Sequence, residues 1–600
     1  MTVNLSPTKF LLGCCGAAIL ILVYGSFAQI SPSLVAIEVF ATILGLFLLG
    51  SFKYRLDKNA LTYGMGIVIF ATFWPIWWPT SALKQSLAQE GTGALLSFFG
   101  RHFLTLHGLD HLFHADTMLF ILGLTLFVCV IAQTRLLEEI CFAVLNKMKG
   151  NVVPTIAILT GIVSFASGIL DGVSMIGLTI RILVMILFMS RAKDDAVIYV
   201  VMVSTVVTTV CGMWLAYGEP PNLIMKANLH PHLDDAFFLR YCAPAALASY
   251  FVVAFNLRKK LKGRKVDTEN MDILDAHAAD VRFLQAARHG EVLIPTEFVD
   301  HHKEELGEHY DAIEKGLHRG EPLGLTLVKE KIPQTLRRKL LGLYLSDNLA
   351  EELDTHYEHA ARGDKGTGDE WAAKVKRTFR SMHKDKVRAQ RIGALAFIPF
   401  IGFLAWHALN HEVPLFLASF AGFAVAFTGI VLLPKTRSLA LHEAKHEYME
   451  YLFLIPLFFS ISLLQKVGFF DRISDLLHHG INAWGPSHVA YVQYMGATVL
   501  SAILDNNVVA DFASHALHDL ELSILHLFAM AQIAGYAVGG CWTHIGCAQS
   551  VVAYAFIQRE VDSGYTPVQW IKAMTPVILE ICVLMIVIIY GEGMLLEFLH

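Results

Sequence analysis

Apolar residues gather into runs near the ~20 residues that a helix needs to cross the hydrocarbon core of a bilayer. They recur from one end of the chain to the other: Phe10 to Ile30, Leu34 to Gly50, Ala115 to Gln133, Ala196 to Ala216, Phe237 to Asn256, Phe397 to Leu409, Val413 to Leu433, Tyr451 to Phe469 and Val577 to Gly591. One such run fits a buried helix of a soluble protein. This many do not fit in one soluble core. The pattern predicts an all-α polytopic membrane protein. The first run is too long for a cleaved signal and lacks a small-residue cleavage site, so it reads as a retained span.

The apolar pattern stops once, between Leu257 and Gln390. That segment is dense in both charges and basic at both edges: Arg258, Lys259, Lys260, Lys262, Arg264 and Lys265 open it, and Lys374, Lys376, Arg377, Arg380, Lys384, Lys386 and Arg388 close it. Lys and Arg beside spans mark the cytoplasmic side, which makes this a cytoplasmic insert. Glu304 to Leu317 and Ile332 to Leu345 read as amphipathic helices in it. The expected organisation is an N-terminal membrane repeat over 1–256, a charged helical insert over 257–391, and a C-terminal membrane repeat over 392–600. Counting outward, the loops with Lys53, Arg55 and Lys58, with Lys147 and Lys149, and with Arg191 and Lys193 fall inside. So do Lys435, Arg437, Lys445, Arg559 and Lys572. The N-terminus is then cytoplasmic and the C-terminus outside. Lys226, Arg240 and Arg472 are the exceptions.

Composition changes little. The chain has 600 residues, 55% of them hydrophobic, but it is the distribution that decides the class. The net charge of −5 carries little weight, because half of the charges sit in the insert. The nine cysteines lie mainly in apolar runs and have no metal-ligand spacing. Nothing points to a nucleotide or nucleic-acid site.

Self-similarity is more informative. Ser167-Gly168-Ile169-Leu170-Asp171-Gly172 matches Ser501-Ala502-Ile503-Leu504-Asp505-Asn506 at an offset of 334. His107 to His111 matches His442 to His446 at 335, and Tyr217 to Asn222 falls opposite Ile545 to Ser550 at 328. Three landmarks in one order predict a duplication. By the positive-inside count the copies are inverted: the first hairpin, Val153 to Ser190, opens from the cytoplasm and the second, Ser487 to Asp519, from outside. Inverted repeats with re-entrant hairpins and broken helices are the plan of secondary transporters, whose sites lie near the midplane.

Asp171 and Asp505 are carboxylates in apolar segments, a costly placement that usually marks an ion or proton site. Ser164 and Ser167 precede the first, Thr498 and Ser501 the second, and Asn506 and Asn507 add amide oxygens. Carboxylate, hydroxyl and amide oxygens suit a hard cation. The alternative reading is an Asp that caps a helix at the hairpin tip. Gly218-Glu219-Pro220-Pro221-Asn222 breaks a helix and offers Glu219, Asn222 and free carbonyls. In the second copy Gly539 to Gly546 supplies the flexibility, with Thr543, His544, Gln549 and Ser550 as the polar candidates. The pairs His107/His111 with His114, His442/His446 and His478/His479 resemble histidine boxes, but the expected topology puts the first cluster and His442 with His446 on opposite sides. They read as interfacial histidines.

Ser167-xxx-Asp171, Ser501-xxx-Asp505-Asn506-Asn507 and Gly218-Glu-Pro-Pro-Asn222 resemble the ion transporter superfamily, which includes NhaD-type Na⁺/H⁺ antiporters, the arsenite-pump subunit ArsB, and dicarboxylate and citrate carriers. The resemblance covers nearly all the chain except the insert. It implies a transport domain with both hairpins and both broken helices, and often a homodimer. It also implies Na⁺/H⁺ antiport, with Na⁺ held by Asp171, Asp505 and Asn506, no cofactor and no enzymatic activity. A multi-pass protein of a bacterial cell membrane is expected, with the lipid bilayer, Na⁺ and H⁺ as its partners. Two departures stand out: Asp171 is followed by Gly172 rather than Asn, and the second broken helix lacks the Gly-x-Pro-x-Asn element. The rival readings are a Na⁺- or H⁺-coupled anion carrier of dicarboxylate or arsenite type, a histidine-rich metalloenzyme, and a sensor with the insert as output.

Overall fold

The computed structural model describes residues 7–49, 64, 66–68, 71, 78, 81–105, 108–109, 115–134, 136–170, 172–190, 192–265, 303–318, 323–342, 351, 354–355, 357–359, 361–362, 368–410, 412–431, 433–449, 451–452, 455, 461, 464–465 and 468–599. Among them the regular structure is helical, with one isolated β-bridge between Asn151 and Lys265. Six described helices are long and apolar enough to cross a membrane: Lys9–Phe27, Ala115–Gln133, Asp235–Leu261, Val387–Leu409, Leu522–Trp542 and Pro567–Phe598. The protein is an all-α polytopic membrane protein. The basic loop at Lys53, Arg55 and Lys58, the cluster His107, His111 and His114, and most of the expected span Tyr451 to Phe469 lie outside the described residues.

The chain divides into two compact units. One comprises Met1–Val144, Asn151–Val266 and Arg391–His600, the other Leu145–Gly150 and Asp267–Gln390. The expected insert boundary at 257 falls within the helix Ala243–Leu261. Leu257 and Leu261 are buried, so that helix keeps its apolar face past the point where charges begin.

The larger unit holds two four-helix sets. The first is α1 (Val152–Ser167), α2 (Gly172–Met189), α3 (Asp194–Thr208) and α4 (Pro220–Asn228). The second is α5 (Pro486–Ile503), α6 (Asn506–Leu517), α7 (Leu522–Trp542) and α8 (Ala548–Glu560). In each set two helices form a hairpin, and a third is interrupted before a short fourth. At 1.5 Å per residue, α4, α6 and α8 reach only about 13–20 Å, well short of a bilayer core. They are half-helices.

Two boundaries differ from the sequence pattern. The apolar run Ala196 to Ala216 is helical only to Thr208, because the chain must turn back toward Pro220. Conversely, Gly539, Gly540 and Cys541 are helical, and the second interruption is confined to residues 543–547. Pro220 and Pro221 begin α4 rather than ending a helix. At a first turn the missing amide hydrogens have no intrahelical partner to lose.

The two sets pack crosswise: α2 lies against α8, and α6 against α4. Around them, Ala115–Gln133 packs on Phe416–Ile430 and Pro434–Met449. The Asp116 carboxylate accepts from the amides of Leu415 and Phe416, at 2.9 and 3.0 Å, which caps the Phe416–Ile430 helix. Two residues that break the positive-inside pattern have partners. Lys226 is buried and donates to Asp235 at 2.6 Å and to the Tyr217 hydroxyl at 2.8 Å. Arg240 pairs with Glu592 at 2.8 Å. Arg472 is exposed.

In the smaller unit, the short helices Tyr310–His318 and Gln334–Gly342 overlap the two amphipathic stretches expected at Glu304 to Leu317 and Ile332 to Leu345, and Leu323–Lys329 is a further short helix between them that the pattern did not predict. Its polar centre is Arg337. It donates to Asp354 at 2.6 Å, to Glu358, and to the Ile332 carbonyl at 2.8 Å.

Candidate ion and substrate site

The site is built from helix ends. The backbone amide of Gly172, the first residue of α2, donates to the carbonyl of Gly218, just before α4 (2.9 Å). The amide of Asn506, the first residue of α6, donates to the carbonyl of Gly546, just before α8 (3.2 Å). These two bonds join matching landmarks of the two copies.

The glycines make the contact possible. A Cβ on Gly218 would lie 1.5 Å from the carbonyl oxygen of Ser167. A Cβ on Gly546 would lie 2.7 Å from that of Ser501, the matching serine. Each hairpin therefore meets a bare backbone. A serine also ties each hairpin to its neighbour: Ser164 donates to the carbonyl of Cys211, in the break after α3, at 3.0 Å, and Ser501 to that of Tyr536, within α7, at 2.8 Å.

One side-chain bond closes the arrangement between copies. Gln549, in the first turn of α8, donates through Nε2 to Oε1 of Glu219, the residue before α4, at 2.7 Å. Both side chains are buried. The four N-termini are thus connected in series: α2 to α4 through Gly172 and Gly218, α4 to α8 through Glu219 and Gln549, and α8 to α6 through Gly546 and Asn506.

Each helix N-terminus carries roughly half a positive charge. Acidic residues stand at these ends. Glu219 precedes α4, and Asp505 precedes α6. Asp505 is 5% exposed, and its Oδ1 accepts from the Asn507 amide at 2.9 Å and from Asn507 Nδ2 at 2.7 Å. This is the N-cap that the sequence offered as the alternative reading of an Asp at the hairpin tip. Asp171 precedes α2 in sequence but lies outside the described residues.

The other expected residues fall in different places. Asn222 accepts from the Tyr536 hydroxyl at 2.5 Å, which links α4 to α7. Ser167 donates to the Ser164 carbonyl. Thr543 donates to the Ala502 carbonyl and so ties the second interruption to the second hairpin. Ser550 donates to the Gly540 carbonyl at 3.0 Å and lies 3.2 Å from Cys547 Sγ. The His544 ring rests on Tyr554, centroids 4.7 Å apart. Among the described residues no group of three or more His, Cys, Asp or Glu side chains could hold a metal ion. His442, His478 and His479 are exposed.

Sequence reasoning passed over Tyr536 and Glu447. The latter accepts from the Ser174 hydroxyl of α2 at 2.8 Å. One of two glutamates in the charged stretch Pro434–Met449, it carries no signal in the sequence that it faces a hairpin.

Residues 92–521 match the family model described as a citrate transporter. The match takes in all of the first four-helix set and the second hairpin. No curated protein matches the chain.

Proposed function

We propose a cargo from one premise: the chain belongs to the citrate transporter family. It is a secondary transporter and not an enzyme. Our reading is that it carries a citrate-class carboxylate anion together with a coupling cation, Na⁺ or H⁺. The carrying observation is the set of four helix N-termini with Glu219 and Asp505 at two of them.

Helix N-termini attract carboxylates. Four termini at roughly +0.5 each sum to about the charge of two ionised carboxylates with opposite sign. A bare polyanion would therefore gain little there. Binding a cation or a proton at the acidic residues tips the balance toward the anion, and that makes the two fluxes depend on each other. The expected cation ligands are the carboxylates of Asp505, Glu219 and Asp171 with the amides of Asn506 and Asn507.

A second reading is Na⁺/H⁺ exchange at the same carboxylates with no anion. It is favoured by the side chains themselves: Glu219, Asn222, Asp505, Asn506, Asn507, Thr543 and Gln549 include no lysine or arginine that would hold a carboxylate substrate. Proteoliposomes separate the two. Radiolabelled citrate should accumulate when a Na⁺ or H⁺ gradient is imposed and should not without one. Sodium-dependent proton flux with no citrate uptake would favour exchange. Citrate uptake indifferent to both gradients would contradict cation coupling.

A further inference from the structure

A second buried carboxylate lies farther along α6. Asp511 is 1% exposed and stands six residues beyond Asp505, about 9 Å along the helix. Its Oδ1 accepts from Asn228 Nδ2, at the end of α4, at 2.7 Å. Its Oδ2 has no hydrogen-bond partner. Asn228 Nδ2 also lies 2.7 Å from the Ser514 hydroxyl, which itself donates to the Asp511 carbonyl at 2.8 Å. His515 Nε2 lies 3.5 Å from Asp511 Oδ1. One turn before Asp511, on the same helix face, the Oδ1 of buried Asn507 is also without a partner.

We propose that Asp511 and His515 form a proton relay between the Asp505 site and the end of α6. The side-chain donors around Asp511 are an amide N–H and an imidazole rather than a shell of oxygens, which suits a proton and not a metal cation. The transfer is simple. A carboxyl oxygen of Asp511 gives up its proton as the His515 imidazole nitrogen takes it, leaving carboxylate and imidazolium. His515, 14% exposed, can then release the proton. Beyond it the exposed His518 and Asp519 end the segment. On the inner side, the free acceptors of Asn507 and Asp511 can hold a bridging water across the gap toward Asp505.

Other charged groups on the packed elements do not compete. On α4, Lys226 is engaged by Asp235 and Tyr217. On Phe469–Trp484, Asp471, Arg472, Asp475, His478 and His479 are exposed, and only Phe470 meets the His515 ring. Glu38 on Pro32–Leu48 and His488 on α5 are exposed. His526 on α7 lies against the His232 carbonyl, and Tyr491 on α5 rests on Tyr590. The buried hydroxyls of Tyr494 on α5 and Tyr536 on α7 and the buried thiol of Cys541 on α7 are the remaining titratable groups of these helices, and Tyr536 is bonded to Asn222.

This inference rests on the cation-coupled reading above. The test compares two assays of the full chain in proteoliposomes: citrate uptake driven by an imposed pH gradient, and citrate counterflow, which needs no net proton movement. Asp511→Asn should lower the driven uptake about tenfold or more while counterflow persists. His515→Gln should shift the pH profile of driven uptake. Driven uptake by Asp511→Asn equal to wild type would overturn the relay. So would folded Asp511→Asn that loses both activities, which would mark a structural role. Should that variant fail to fold, His515→Gln decides: an unchanged pH profile overturns the relay and a shifted one supports it. Wild-type vesicles inactive in both assays would overturn the carrier reading and the relay with it.

Discussion

Gly172 explains its own departure from the second copy. The matching position holds Asn506, but a Cβ on Gly172 would lie 2.3 Å from Glu219 Oε1 and 2.7 Å from Gln549 Nε2. The space that a side chain would need is filled by the pair that joins the two copies. Gly172→Asn should therefore break this pair and lose transport, with a lower apparent Tm in detergent. Overpacking of this kind costs about 1–3 kcal/mol. Gln549→Leu removes the amide donor from a buried carboxylate, and the cost should be about 1.5–3 kcal/mol. Differential scanning fluorimetry of purified protein would register both. Asp505 and Glu219 were legible in the sequence as acidic residues beside apolar segments. The bond between Glu219 and Gln549 was not, because it joins positions 330 apart that no local pattern links.

At the scale of elements, the hairpins were legible and the exact breaks were not. The internal repeat and the positive-inside count set the hairpins at Val153 to Ser190 and Ser487 to Asp519, and α1 with α2 and α5 with α6 lie within two residues of those bounds. The end of α3 at Thr208 was hidden, because Thr209 to Ala216 is as apolar as the helix before it. The backbone turns there for tertiary reasons, since Gly218 must reach Ser167. Gly539 and Gly540 misled in the opposite direction. They read as a flexible break but are helical, because α7 packs tightly on α5: a Cβ on Gly539 would lie 2.1 Å from the Thr498 carbonyl. The link from α7 to α4 is the Tyr536 hydroxyl on Asn222. Tyr536→Phe should destabilise by about 0.5–1.5 kcal/mol, the net worth of one buried hydrogen bond, and thermal unfolding would measure it. In the smaller unit, the hydrogen bond to Asp354 holds the Arg337 guanidinium above its ordinary value. A raised arginine value leaves its stabilising charge present below the unfolded value, so from this side the contribution does not fade as pH rises through working conditions. Arg337→Ala leaves buried Asp354 with only the more distant Arg338 guanidinium, 3.6 Å away, at a cost of about 3 kcal/mol. Hydrogen exchange in Tyr310–His318 and Gln334–Gly342 should speed up in the intact variant.

At the scale of the molecule, the larger unit takes its logic from duplication. The matching serines, the matching glycines and the two hairpin amides recur in both copies, and each hairpin packs on the other copy's half-helix. Neither copy can complete the site alone, since Glu219 comes from one and Gln549 from the other. The sequence carried the repeat but not the crossed packing, which depends on how the copies meet. The central claim is that Glu219 and Asp505 bind the coupling cation. The direct test is gradient-driven citrate uptake by folded Glu219→Gln and Asp505→Asn in proteoliposomes. Each should fall about tenfold or more below wild type under a Na⁺ or H⁺ gradient. Wild-type driven uptake by both variants would contradict the account.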